Sequence, residues 1–216
     1  MSINKSYAVF GLGRYGLAVA KELTSNGAEV IAIDVDENKV NAAAAVIPIC
    51  KCADITDPEV IRQLGIGNID VVIVAMASNL EACVMTTTLC KEAGVKTVIA
   101  KCASEMQQKI LLRVGADQVV FPENESGIRL AQNLLSSGFI DMISLSKDVS
   151  IVEIDVKEEW CGKNLIELNL RKKYGFNIVA IKKGENVNAN VNPEEILDDE
   201  TTLIVIANTA KLGKLN

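Results

Sequence analysis

From Ser6 to about Ser137, short β-rich apolar runs alternate with helical patterns, and this alternation leaves few architectures open. Strands joined by helical crossovers of this length pair in parallel, so both faces of the sheet must be covered by helices. Six strands are expected: Ser6 to Phe10, Glu29 to Asp34, Pro48 to Lys51, Val71 to Ala75, Thr97 to Lys101 and Gln118 to Phe121. The helices between them carry apolar residues four apart, as in Tyr15, Val19 and Leu23 or Met106, Ile110 and Val114, and three apart in Ile128, Ala131 and Leu134. Asp57-Pro58-Glu59 reads as a capped helix start, whereas Gly65, Gly94 and Gly115 fall where helices should stop.

The rhythm changes after Gly138. Ser150 to Val156, Phe176 to Lys182 and Thr201 to Ala207 are strand-like, with a short helical stretch at Leu165 to Tyr174. The expected organisation is α/β: a Rossmann-like doubly wound parallel sheet over residues 1–138, then a small α+β domain over 139–216. So small a domain is near the lower limit for an independent core, which favours dimerisation through it. The whole chain of 216 residues suits one ordinary domain plus a small one, and 49% hydrophobic residues suffice for a sizeable core.

Charge narrows the partners. Twenty-eight acidic against 22 basic residues leave a net −6, which gives no general attraction to nucleic acid or anionic lipid. The longest apolar runs, such as Val71 to Ala77, are strand-length, so no direct membrane insertion is expected. Met1 to Lys5 lacks the layout of a secretory signal, which predicts a cytoplasmic chain whose six cysteines remain thiols. With no histidine, Ser-His and Cys-His dyads, His-ligated zinc and imidazole acid-base chemistry are excluded, and no catalytic residue is expected.

Gly11-Leu12-Gly13-Arg14-Tyr15-Gly16 follows the first expected strand and opens a helix. Glycines at this spacing allow a tight turn, close backbone approach to a pyrophosphate and close helix–strand packing, while the helix N-terminus favours an anion. Asp34 closes the next strand, about 20 residues on, where a carboxylate accepts both ribose hydroxyls of an adenosine and repels a 2′-phosphate. Asp36 is the expected cap of the following helix. Asp54 has two readings, acceptor for the adenine amino group or solvated loop carboxylate. Arg14 in the turn and Lys101 at the carboxyl end of the fifth strand suit a ligand with two or three phosphates.

Together with Ala53 to Pro58, the Gly115 to Glu123 segment and the tail domain, these residues resemble the RCK proteins of the KtrA and TrkA type, over about residues 6–210. The resemblance implies a cytosolic regulatory subunit, peripheral to the inner face of the membrane, that gates a membrane-embedded potassium transporter. It implies a homo-oligomer in which dimers form an octameric ring, reshaped by exchange of ATP or ADP, or by NAD in TrkA-like members. Carried over, Gly11, Gly13 and Gly16 hold phosphate, Arg14 senses the terminal one, Tyr15 belongs to the cofactor site, Asp34 holds ribose, Asp54 lies by the base and Lys101 assists. Glu123 matches a glutamate that shares a divalent cation with a neighbouring copy. Leu165, Leu170, Arg171, Asn177 and Pro193 match a cyclic di-AMP site in the tail; as plain structure they read as core, solvated cation and turn.

Two other functions stay open at this stage, an NAD-dependent oxidoreductase and a cyclic-dinucleotide module with a vestigial first site. Cys50-x-Cys52 lacks the spacing of a redox or zinc pair, and Cys83 and Cys90, seven apart, read as core. Asp198 to Glu200 reads as a solvated turn, and Trp160 as a candidate dimer anchor.

Overall fold

The computed structural model describes residues 5–135, 139–146 and 148–208. The chain divides into two compact units, Met1–Glu123 and Asn124–Asn216. The division thus falls within the first turn of the last helix of the alternating pattern, whereas the border expected from sequence, at Gly138, lies outside the described residues.

In the first unit, strands β1 (Ser6–Phe10), β2 (Glu29–Asp34), β3 (Ile49–Cys52), β4 (Val71–Val74), β5 (Thr97–Lys101) and β6 (Gln118–Val120) form one parallel sheet in the order β3-β2-β1-β4-β5-β6. Helices α1 (Arg14–Ser25), α2 (Glu37–Ala44), α3 (Pro58–Gln63), α4 (Leu80–Glu92) and α5 (Glu105–Arg113) connect them. The strand order reverses between β1 and β4, the place where open sheets of this type bind ligands.

Alternation along the central strands builds two cores. Ala8, Phe10, Val72, Val74 and Val98 pack on one face with Cys83, Cys90 and Leu111, while Val9, Val30, Ala32 and Ile73 pack on the other with Ala20 and Val40. Cys83 and Cys90 are therefore core, and burial pushes their thiols up to about 11 and 12. In α5, Leu111 carries the burial and Met106 is exposed, so the expected core stripe is rotated away from Met106. Side chains of Asp36, Asp57, Asn79 and Ser104 cap α2 to α5.

Helix α6 (Pro122–Leu135) runs from the end of the first unit into the second. The second unit holds β7 (Phe139–Ser144), β8 (Val149–Asp155), β9 (Asn177–Lys183), β10 (Asn186–Asn188) and β11 (Thr201–Asn208) in an antiparallel sheet ordered β10-β9-β11-β8-β7. The helical stretch is two short helices, α7 (Leu165–Leu168) and α8 (Leu170–Tyr174), broken at Asn169, whose φ of 48° is left-handed. Trp160 is buried with Leu168, Leu170, Phe176 and Leu203. Its indole lies 6.0 Å from the Tyr174 ring, so it anchors this core rather than an exposed dimer contact.

Candidate functional site: a cleft at the carboxyl ends of β1, β2 and β4

The turn after β1 is shaped by two glycines that admit no side chain. Gly11 has φ +90°, and a Cβ there would lie 2.8 Å from the Met76 side chain. At Gly16 a Cβ would stand 1.9 Å from the Gly11 carbonyl oxygen and 3.0 Å from Ala75 Cβ, so α1 rests directly on the turn. Gly13 differs, because a Cβ there would meet nothing within 4 Å. It is the N-cap of α1, makes no side-chain capping bond, and the first turn of α1 has no acidic residue. The backbone N–H groups at the start of α1 therefore face an open space that suits an anion.

That space belongs to a cavity of about 400 Å³ lined by Gly11, Gly13, Asp34, Lys39, Asp54 and Asn79, among others. Apolar walls come from Val35, Ile55, Met76 and Ala82. The volume and the mixture of apolar wall and few polar groups suit a nucleotide-sized ligand.

Asp34 is only 6% exposed. Its Oδ2 accepts the Leu12 N–H at 2.6 Å and its Oδ1 accepts the Asp36 N–H at 2.9 Å. The carboxylate thus fixes the glycine turn to the end of β2 as well as facing the cavity, a role that β-strand periodicity gives no sign of. A carboxylate has about four lone-pair sites, so each oxygen retains capacity for a further donor. Asp54 accepts from the Thr56 hydroxyl at 2.7 Å and the Thr56 N–H at 2.9 Å, which lower its pKa and hold it ionised at the cavity wall.

The other expected site residues gather in a second cluster beside α1. Lys101 Nζ donates to Glu123 Oε1 at 2.6 Å and lies 5.6 Å from the centre of the Tyr15 ring. Glu123 is held below the usual carboxylate range, first by this lysine and to a lesser degree by the charge of Arg14. Arg14, Tyr15, Lys101 and Glu123 therefore form one charged group, while Gly11, Gly13, Asp34 and Asp54 line the cleft and Gly16 supports it. Lys101 lies in an ion pair with Glu123 rather than in the cavity lining. Among the described residues no three Cys, Asp or Glu side chains converge to hold a metal ion.

The second unit has its own cavity of about 260 Å³, lined by Leu165, Asn169, Leu170, Arg171, Phe176, Asn177 and Ile178. Four residues singled out in the sequence meet there. Pro193 is not in the lining; its carbonyl accepts the Leu165 N–H at 3.1 Å and so anchors the start of α7. Asn169, Phe176 and Ile178 complete the wall, brought in by the left-handed break between α7 and α8 and by the start of β9.

Sequence reasoning missed Lys39, Ser78 and Asn79 in the first cavity. Lys39 looks like an ordinary solvated helix cation. The other two follow β4 in a loop whose place beside the glycine turn is apparent only from the strand order.

Comparison with known proteins agrees with this fold. The TrkA-N domain family matches residues 7–122 and the TrkA-C domain family residues 149–216. The Ktr system potassium uptake protein C of Bacillus subtilis (strain 168) is 39% identical over 212 residues, covering 98% of this chain and 96% of the relative. The Ktr system potassium uptake protein A of the same organism is 37% identical over 203 residues, covering 94% and 91%. The crystal structure of the GsuK RCK domain superposes with a TM-score of 0.53 at 25% identity, over 99% of this chain and 46% of that one. With both domains matched in order and two Ktr relatives aligned over nearly their full lengths, the chain belongs to the KtrA/TrkA family of RCK proteins.

Proposed function

We propose that the chain is a nonenzymatic regulatory subunit of a membrane potassium transporter, in which an adenine nucleotide bound in the first unit sets the state of a homo-oligomeric ring. The observation that carries this reading is the cleft at the sheet's switch point, where an uncapped α1 N-terminus and the buried Asp34 carboxylate share one nucleotide-sized cavity. Potassium transport follows from the two Ktr relatives. Among the described residues no helix is long and apolar enough to cross a membrane; the reading assigns the membrane-embedded part to a separate partner, with this chain on its cytoplasmic side.

Ligand and gate are linked by differential affinity. A nucleotide shifts the ring only as far as it binds one form more tightly, and a tenfold preference is worth about 1.4 kcal/mol per site. In this reading Arg14, which is exposed at the first position of α1, senses how many phosphates extend beyond the glycine turn. ATP and ADP are the favoured ligands, with NAD as the competitor that the same cleft would admit.

The second unit supports one further ligand. Its cavity combines apolar walls with Arg171 and the Asn169 and Asn177 amides, a set suited to a base flanked by phosphate, and cyclic di-AMP fits that chemistry.

Calorimetry with ATP, ADP and NAD on the full chain, repeated with Arg14→Ala, tests the proposal. Micromolar binding of ATP or ADP, weakened in the variant, is expected. Absence of binding by all three would remove it, as would turnover of a substrate with NADH.

A further inference from the structure

Lys39 lies on the third position of α2 and lines the first cavity. Its Nζ is 3.6 Å from Asp34 Oδ2 and 3.8 Å from Asp36 Oδ2, close enough for attraction and just too far for a direct hydrogen bond. The two carboxylates differ. Asp36 is half-exposed and caps α2 through the Asn38 N–H, whereas Asp34 is buried and fixed by two backbone donors. An ammonium held between them is a donor set beside an acceptor of fixed position.

A hydroxyl both donates and accepts, so one set to the side of this pair, within hydrogen-bond distance of both, can give its proton to Asp34 Oδ2 while receiving one from Lys39. Asp34 Oδ2 already takes the Leu12 N–H and has room for one donor more. We infer that Lys39 is a specificity-determining residue that, with Asp34, selects a ribose over a 2′-deoxyribose in the bound nucleotide. The inference rests on the nucleotide reading of the cleft and adds the sugar to it. A 2′-deoxy sugar leaves both partners without the bridge, and the buried carboxylate bears most of the loss because water replaces the hydroxyl poorly there.

The test is a comparison of ratios on the full chain. Affinities for ATP and 2′-deoxyATP are measured by calorimetry on the wild type, Lys39→Met and Lys39→Gln. The wild type should favour ATP by about tenfold or more, in keeping with a charge-assisted hydrogen bond. Lys39→Met should narrow that preference by about three- to tenfold, mainly by weakening ATP, and Lys39→Gln, which keeps a donor without the charge, should fall between. Equal loss for both nucleotides in Lys39→Met would overturn the inference, since it would mean that Lys39 attracts phosphate charge and ignores the sugar. An unchanged ratio at unchanged affinity would overturn it too. A wild type that binds neither nucleotide fails differently, because it removes the nucleotide reading itself.

Discussion

Replacing Gly16 by alanine should damage the fold, whereas the same change at Gly13 should damage binding. A Cβ at Gly16 would stand 1.9 Å from the Gly11 carbonyl oxygen and 3.0 Å from Ala75 Cβ. The first neighbour is backbone and cannot swing aside, so α1 must move off β1. Alanine gains roughly 1 kcal/mol of helix propensity over glycine. Overpacking of a close contact costs about 1–3 kcal/mol and sometimes more, and here it comes with distortion of the turn. A net loss of about 1–2 kcal/mol is expected, and at about 2–4 °C per kcal/mol for a chain of this size the melting temperature should fall by about 2–8 °C. Gly13, with open space around it and an extended ψ of −177°, should tolerate alanine for about 1 kcal/mol or less, the cost of a poorer N-cap. Its new methyl group would occupy the space where phosphate must approach, so ATP affinity should fall at least about tenfold. Thermal denaturation and calorimetry on both variants separate the effects. A Gly16→Ala chain with wild-type stability would refute the packing argument, and a Gly13→Ala chain with wild-type affinity would refute the placement of the phosphates.

Three further outcomes follow from the same geometry. Asp34→Ala leaves the Leu12 and Asp36 N–H groups without their acceptor; it should cost about 1–3 kcal/mol in urea denaturation even without nucleotide, and a loss seen only with ligand present would contradict the anchoring role. Glu123 titrates below its ordinary value, so its pairing with Lys101 is present above about pH 4.5 and is lost as pH falls through the depressed folded-state value. In Lys101→Met, NMR titration should show the Glu123 pKa rising back toward its ordinary range, and no movement would mean that Lys101 is not the cause. Thiol labelling of the native chain at pH 8 should modify exposed Cys52 first and leave Cys83 and Cys90 intact until unfolding, because burial holds the latter thiols near 11 and 12; equal rates would contradict the first core.

Much of the first unit is legible because its strands have apolar centres and the segments between them are punctuated by glycine. All six strands lie within a residue of their expected bounds, and the glycine turn marks the end of the sheet that carries the cleft. The second unit was less legible. Phe139–Ser144 carries Asp141 among its apolar residues and so lacks a clear strand pattern, and Asn186–Asn188 is too short to show a period. One left-handed residue, Asn169, divides a helical pattern that periodicity alone joins. The parts of the site local to one turn, Gly11, Gly13 and Gly16, were readable from spacing. Contacts between distant segments were not: Lys101 and Glu123 were assigned to different ligands, yet they pair with each other across 22 positions. Leu12 reaches Asp34 by the same kind of tertiary contact, and Lys39 enters the cleft only because α2 starts immediately beyond that carboxylate.

The central claim is that nucleotide identity in the first unit sets quaternary shape. Small-angle scattering of the purified oligomer during titration with ATP tests it most directly. The profile should change with a midpoint that matches the calorimetric affinity, differ at saturation between ATP and ADP, and stay fixed in Gly13→Ala over the same range. Superimposable profiles without ligand and at saturating ATP and ADP would contradict the account.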